Sequence, residues 1–162
     1  MTTKVIYSNQ PNTSLKINRS QVKKLITKIL ELSKTELPCA SSVAVNFVNA
    51  STISSINKTY VGHMGTTDVI SFDYRDDLED EGDIAIELFI YPYKAYEESL
   101  KRINAYFAQE LTLYIVHGIL HMSGYDDIEK KDRIKMRKRE SYIMKNLKSE
   151  FVLSEIFIFN EL

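Results

Sequence analysis

Phe107-Ala-Gln-Glu-Leu-Thr-Leu-Tyr-Ile-Val-His117-Gly-Ile-Leu-His121-Met-Ser-Gly124-Tyr-Asp126-Asp127 is the most informative stretch of this chain. Leu111, Leu113, Tyr114, Ile115, Val116, Ile119 and Leu120 make it apolar nearly all round, the pattern of a helix buried in a core rather than laid on a surface. Gly124 closes it, because glycine accepts the left-handed backbone that commonly follows a helix end. Two histidines interrupt the apolar run. Four residues apart on a helix, His117 and His121 project from one face, one turn from each other. Burying two imidazoles without partners costs several kcal/mol (roughly 2–7 for an unbonded polar group), so the pair needs a reason to be there.

One divalent metal ion supplies that reason. Imidazole nitrogens on adjacent turns can both reach an ion at about 2.0–2.1 Å, and the reversal at Gly124 can return a third group to it. Asp127 is expected to be that ligand, with Asp126 serving as a helix cap or hydrogen-bonding behind the ligands. Two imidazoles, one carboxylate and an open position make a catalytic arrangement, with zinc the expected ion and manganese or another transition metal as alternatives. The spacing parallels the zinc-peptidase pattern H-E-x-x-H, but its glutamate position holds Gly118. The proton acceptor for peptide hydrolysis is therefore missing, and a phosphodiester becomes the leading substrate class.

Working outward, Lys4–Ser8 reads as a short strand and Asn18-Arg19-Ser20 caps a helix through Val22, Leu25, Ile26, Ile29 and Leu30. Ser42–Val48 alternates like a half-buried strand, and Asn49-Ala50-Ser51 opens a helix that ends near Gly62. Asp68–Tyr74 and Asp83–Ile90 are two more strands, joined by an acidic, solvated turn. Pro92 opens a helix over Tyr93–Lys101, and a last amphipathic helix spans about Ile128–Leu147. The expectation is an α+β (mixed α/β) fold: one domain over residues 1–162, with a mixed sheet of about four strands packed with helices and a zincin-like metal site at the end of the buried helix. Phe151–Phe159 is apolar enough to add a strand or to bind a partner.

The 162 residues suffice for a core without staples. A formal net charge of −1 does not advertise a nucleic-acid binder, although a local basic face would be hidden in that sum. The single cysteine, Cys39, excludes an internal disulfide and suits a reducing cytosol. No signal peptide and no apolar run near the roughly 20 residues of a membrane span is present, so a cytoplasmic protein without membrane partners is expected.

The run His117-Gly-Ile-Leu-His121-Met-Ser-Gly124-Tyr125-Asp126 resembles the signature H-G-x-L-H-x-x-G-Y-D-H of the YbeY rRNA maturation factors, matching every fixed place but the last. Thr67-Asp68-Val-Ile-Ser71-Phe72 and Gly82-Asp-Ile-Ala-Ile86 are similar to two further motifs of that family, in the same order, within a resemblance running from about Val43 to Leu147. The resemblance implies a metal-dependent endoribonuclease specific for single strands, in which a metal-bound water attacks the phosphodiester. It implies maturation of the small-subunit rRNA 3′ end and ribosome quality control, with ribosomal RNA and the small ribosomal subunit as partners. His117, His121 and Asp127 would then act catalytically through the metal, and Thr67, Asp68, Ser71 and Arg102 would meet substrate. Two rivals stand beside it: a ribosome-associated binding factor whose metal is structural, and a zincin-like metallopeptidase.

Two departures from the family pattern matter. Asp127 replaces the third histidine, adding negative charge and favouring harder ions such as manganese. Val61 stands where the family usually has arginine, so either another cation, Arg102 or Lys58, fills in, or activity is weaker or differently specific. His63, nearby, reads either as an exposed loop residue or as a contact to substrate or metal. Nine Lys and Arg residues between Lys130 and Lys148 give the last helix a basic face, read either as a solvated face or as a contact for RNA phosphates.

Overall fold

A computed structural model of the chain describes residues 3–161. Met1, Thr2 and Leu162, part of the expected domain, lie outside the described residues. Strand β1 (Lys4–Asn9) leads through a short β2 (Leu15–Ile17) into helix α1 (Arg19–Ser33). Asn18 caps that helix by accepting the Ser20 N–H, and Val22, Leu25, Ile26, Ile29 and Leu30 form its buried stripe. Then come β3 (Ser42–Phe47) and α2 (Ala50–Ile56), which continues as one wider π-helical turn, Asn57–Val61. Strands β4 (Val69–Asp73) and β5 (Ile84–Ile90) follow, then α3 (Pro92–Lys101), α4 (Phe107–Met122), α5 (Lys130–Glu150), the single turn α6 (Leu153–Ile156) and β6 (Phe157–Phe159).

The main sheet has the order β1-β3-β5-β4, parallel except for β4, which runs antiparallel to β5. This is the expected mixed sheet of four strands. Strand β3 is buried on both faces rather than half-buried as expected: it reads Ser-Val-Ala-Val-Asn-Phe with only Asn46 partly open, while its neighbour β5 is partly open at Ile84, Glu87 and Phe89. Helix α4 lies inside the molecule, with Leu111, Ile115, Val116, Ile119 and Leu120 fully buried among α1, α5 and the sheet. That position explains why its sequence has no polar side. No described helix is long and apolar enough to cross a membrane.

Two features go beyond the sequence reading. The isolated segment Leu15–Ile17 is a strand because β6 pairs with it antiparallel, Leu15 opposite Phe159. Within Phe151–Phe159, therefore, the extra strand is what forms, and Phe157 is buried against Phe47 with ring centroids 5.6 Å apart. The last helix runs Lys130–Glu150, shifted from the expected Ile128–Leu147. Its basic residues Lys130, Lys131, Arg133, Lys135, Arg137, Lys138, Lys145 and Lys148 are exposed, whereas Arg139 turns inward to the Leu32 carbonyl and lies 4.7 Å over the Tyr142 ring.

Candidate metal centre

The last two turns of α4 deliver the histidine pair to the rim of a cleft of about 480 Å³ between that helix and strand β4. Gly124, at φ 92°, reverses the chain and brings Asp127 over them. His117 Nε2, His121 Nε2 and Asp127 Oδ2 form a triangle with edges of 3.0, 3.5 and 3.6 Å. An ion bonded tetrahedrally at 2.0–2.1 Å holds its ligands about 3.4 Å apart, so these three atoms are already at ligand spacing. The donor set, two imidazole nitrogens and a carboxylate oxygen, fits one zinc or similar ion with an open position toward solvent.

The other ring nitrogen of His117 completes the arrangement. Its Nδ1 lies 2.6 Å from Oε1 of Glu140, a carboxylate whose side chain is only 14% exposed. This contact assigns the proton to Nδ1, leaving the Nε2 lone pair directed at the triangle, as a carboxylate behind a metal-binding histidine does. Burial works against a charged His117, but the Glu140 hydrogen bond, with the charges of Glu140, Asp68 and Asp127, outweighs it and holds the imidazole pKa above its ordinary value. Glu140 was not singled out in the sequence reading, although a signal was there. It falls four residues after Met136 and three before Ile143, both buried, and a carboxylate on a helix's inward stripe needs a partner.

Asp126, expected to cap a helix or to stand behind the ligands, bonds within the turn itself. Its Oδ1 accepts the N–H groups of Asp127 (2.7 Å) and Ile128 (3.2 Å), tightening the turn that carries Asp127 inward. It is not the cap of α5 itself, because Glu129 occupies that position.

Thr67, Asp68 and Ser71 all line the cleft. Asp68 Oδ1 accepts the Val69 N–H at 2.7 Å and the Thr67 hydroxyl at 3.3 Å, while Ser71 Oγ donates to the Gly118 carbonyl at 3.3 Å. Arg102 does not join them, which corrects the expectation. It follows the C-terminus of α3 and is paired with Glu110 at 2.6 Å. Glu110 sits in the first turn of α4, and seven residues of helix put it roughly 10 Å from His117. Lys58 does not line the cleft either, and Val61 does. Among the described residues the cleft lining therefore contains no Lys or Arg, yet it contains all three of the chain's histidines, His63 included.

The family model described as endoribonuclease YbeY matches residues 7–148. The chain belongs to that family. The endoribonuclease YbeY of Thermodesulfovibrio yellowstonii is 36% identical over 138 residues, covering 80% of this chain and 86% of that protein. The one from Protochlamydia amoebophila is 31% identical over 145 residues, covering 89% and 93%. Among solved structures, the solution structure of the Thermotoga maritima protein TM1509 superposes with a TM-score of 0.59 at 24% identity, covering 90% of each chain, and the likeness there is one of fold. All three motifs identified in the sequence fall inside the matched span, together with Glu140 and the cleft.

Gly118 is the one buried residue of the motif with no side chain, and the geometry accounts for it. A Cβ there would stand 3.0 Å from Leu88 Cδ2 and 3.0 Å from Ser71 Oγ. The general base of a zinc peptidase would have to displace Leu88 and Ser71 at this position, so crowding adds to residue type against the metallopeptidase reading.

Proposed function

We propose that this chain is a metal-dependent endoribonuclease that cleaves single-stranded RNA. The observation that carries the reading is the convergence of His117 Nε2, His121 Nε2 and Asp127 Oδ2 at ligand spacing in an open cleft, in a member of the endoribonuclease YbeY family. A divalent ion, zinc or manganese, supplies Lewis acidity at the phosphodiester and a nucleophile at neutral pH. The residues of the chain do the rest. His117, His121 and Asp127 hold the ion, Glu140 fixes the ring of His117, and Thr67, Asp68 and Ser71 form the wall along which the strand lies. The exposed cations of α5, which begins three residues after Asp127, attract the phosphate backbone without reading its sequence.

The substrate we assign is ribosomal RNA, at the 3′ end of the small-subunit species, with the small ribosomal subunit as partner and a role in ribosome quality control. The compartment is the cytoplasm, where the exposed Cys39 stays reduced. The test is metal content and cleavage measured together. Protein purified without a metal-affinity tag should carry about one zinc or manganese per chain and should cut single-stranded fragments of small-subunit rRNA. A chelator should abolish cutting and the metal should restore it. A protein that takes up no metal after reconstitution, or cuts equally well without it, overturns the reading.

The lack of Lys and Arg among the described lining residues favours one rival, a non-catalytic ribosome-associated binding factor whose metal is structural. On that account chelation lowers the melting temperature and leaves no cleavage to lose.

A further inference from the structure

A phosphodiester entering this cleft meets two carboxylates, Asp68 and Asp127, and needs donors beyond the ion. The neutral side-chain donors of the lining are already engaged. The Thr67 hydroxyl donates to Asp68 Oδ1, the Ser71 hydroxyl to the Gly118 carbonyl, and Asn57 Nδ2 to the Gly65 carbonyl at 3.0 Å. Outside the metal group, His63 is the lining residue whose side-chain donor makes no hydrogen bond or ion pair at all among the described residues, whereas buried Asn57 is already tied to the loop by its amide.

The loop that carries His63 is built rather than loose. Asn57, only 4% exposed, holds it at both ends: its carbonyl accepts the N–H groups of Gly62 and His63, the latter at 3.2 Å, and its amide grips the Gly65 carbonyl. Gly62 and Gly65, at φ 80° and 87°, make the reversals on either side of the His63–Met64 tip, a backbone that L side chains rarely accept. The preceding turn is pinned to β4 by Tyr60, whose ring meets Phe72 edge-on at 5.4 Å. A buried asparagine, two left-handed glycines and an aromatic contact thus hold one uncommitted imidazole in the wall of the cleft.

We infer that His63 is a substrate-contacting residue, donating a ring N–H to a non-bridging phosphate oxygen of the RNA strand at the metal centre. The inference rests on the endoribonuclease reading for its substrate. His63 is exposed, so its ring is open to a strand passing over the cleft. A hydrogen bond to a charged oxygen is stronger than one between neutral groups, and it supplies the contact that no Lys or Arg among the described lining residues provides.

The experiment uses the full zinc-loaded chain and a fluorescein-labelled, single-stranded ribo-oligonucleotide, with affinity read by anisotropy and cleavage by gel. His63→Ala should weaken binding and kcat/KM by about 10- to 100-fold, the loss expected for one hydrogen bond to a charged group. Zinc content and melting temperature should not change, and His63→Arg should recover most of the loss. Wild-type cleavage with no effect of His63→Ala overturns the inference and keeps the nuclease. His63-dependent binding without cleavage keeps the contact and overturns the nuclease. Loss of zinc in His63→Ala overturns the inference in favour of His63 as a ligand, and a wild type that neither binds nor cleaves overturns both.

Discussion

Gly118 and Leu88 lie so close that a Cβ on the glycine would stand 3.0 and 3.2 Å from the two methyl carbons of the leucine. Leu88 is fully buried in the middle of β5, so its methyls can give way only against close-packed neighbours. Glycine inside a helix costs about 1 kcal/mol relative to alanine, and that cost is what lets α4 seat against β4 and β5 with the histidines at its end. Gly118→Glu should therefore fail to fold or melt far below wild type, since it adds overpacking to a buried charge. It should gain no cleavage of casein. Gly118→Ala should also lower the melting temperature, because crowding of about 1–3 kcal/mol exceeds the helix-propensity gain. A Gly118→Glu protein with wild-type stability and zinc-dependent casein cleavage would show that the glycine is not a steric requirement.

Glu140 acts on the metal centre without touching it. Its 2.6 Å contact keeps the His117 proton on Nδ1, so removing the carboxylate frees the ring to rotate and to protonate at the wrong nitrogen. Glu140→Ala should weaken zinc binding by about 10- to 100-fold, read by competition with a chelator, while the far-ultraviolet circular dichroism stays that of wild type. Glu140→Gln keeps an acceptor for Nδ1–H and should fall between the two. Equal zinc affinity in wild type and Glu140→Ala is the result that rejects this role.

Asp126 and Asp127 are adjacent and chemically identical, yet their substitutions should separate. Asp127→Ala should lose the metal, because it removes one of three ligands. Asp126→Ala should keep it and destabilise the fold by about 1 kcal/mol, the worth of a turn-capping carboxylate. Asp127→His should move the preference from manganese toward zinc, since an imidazole is the softer donor. Elemental analysis across the three variants decides the matter, and metal retained by Asp127→Ala would return that residue to the turn.

Arg75 ties the strand beside the cleft to the end of α4. Its guanidinium binds Asp73 at 2.6 and 2.9 Å, the Met122 carbonyl at 2.7 Å and the Glu36 carbonyl at 3.0 Å. The hydrogen bond from Arg75 holds the Asp73 carboxyl below its ordinary pKa, against the small opposing effect of burial. A depressed folded-state pKa contributes stability that is present above the ordinary aspartate value and is lost as pH falls through the lower one. Asp73→Asn should therefore flatten the acid limb of stability against pH, losing the pair's contribution near neutrality and changing little at low pH, where Asp73 is protonated anyway. The half-exposed pair is worth at most about 1 kcal/mol after solvent screening. Arg75→Ala should cost more than Asp73→Asn in urea melts, because it also frees two carbonyls, one of them at the C-terminal end of α4. The reverse order would mean that the carbonyl contacts carry no stability.

The fold was legible wherever a segment's pattern reports its own surroundings. The stripe Val22–Leu30 and the all-apolar α4 each record which faces are buried, and those helices form as their patterns imply. The alternation of Val43, Val45 and Phe47 marked a strand but not its full burial, because Ser42 and Ala44 are small enough to be covered as well. Leu15–Ile17 was not legible, because three residues acquire a strand only when Phe157–Phe159, more than 130 positions later, closes beside them. The pairing of Arg102 was hidden in the same way: a cation's partner is set by where two helices meet, not by anything beside it in the chain.

The metal centre divides along the same line. By itself the sequence determined the histidine pair at helical spacing, the glycine reversal and an acid within reach, because all of these lie within eleven consecutive residues and follow from the geometry of one helix and one turn. Tertiary structure alone decided which aspartate faces the histidines, that Glu140 of another helix orients His117, that Gly118 is pressed against Leu88 and Ser71, and that the loop of His63 lines the cleft. All but the first join residues distant in sequence, and they exist only once the sheet and helices have packed.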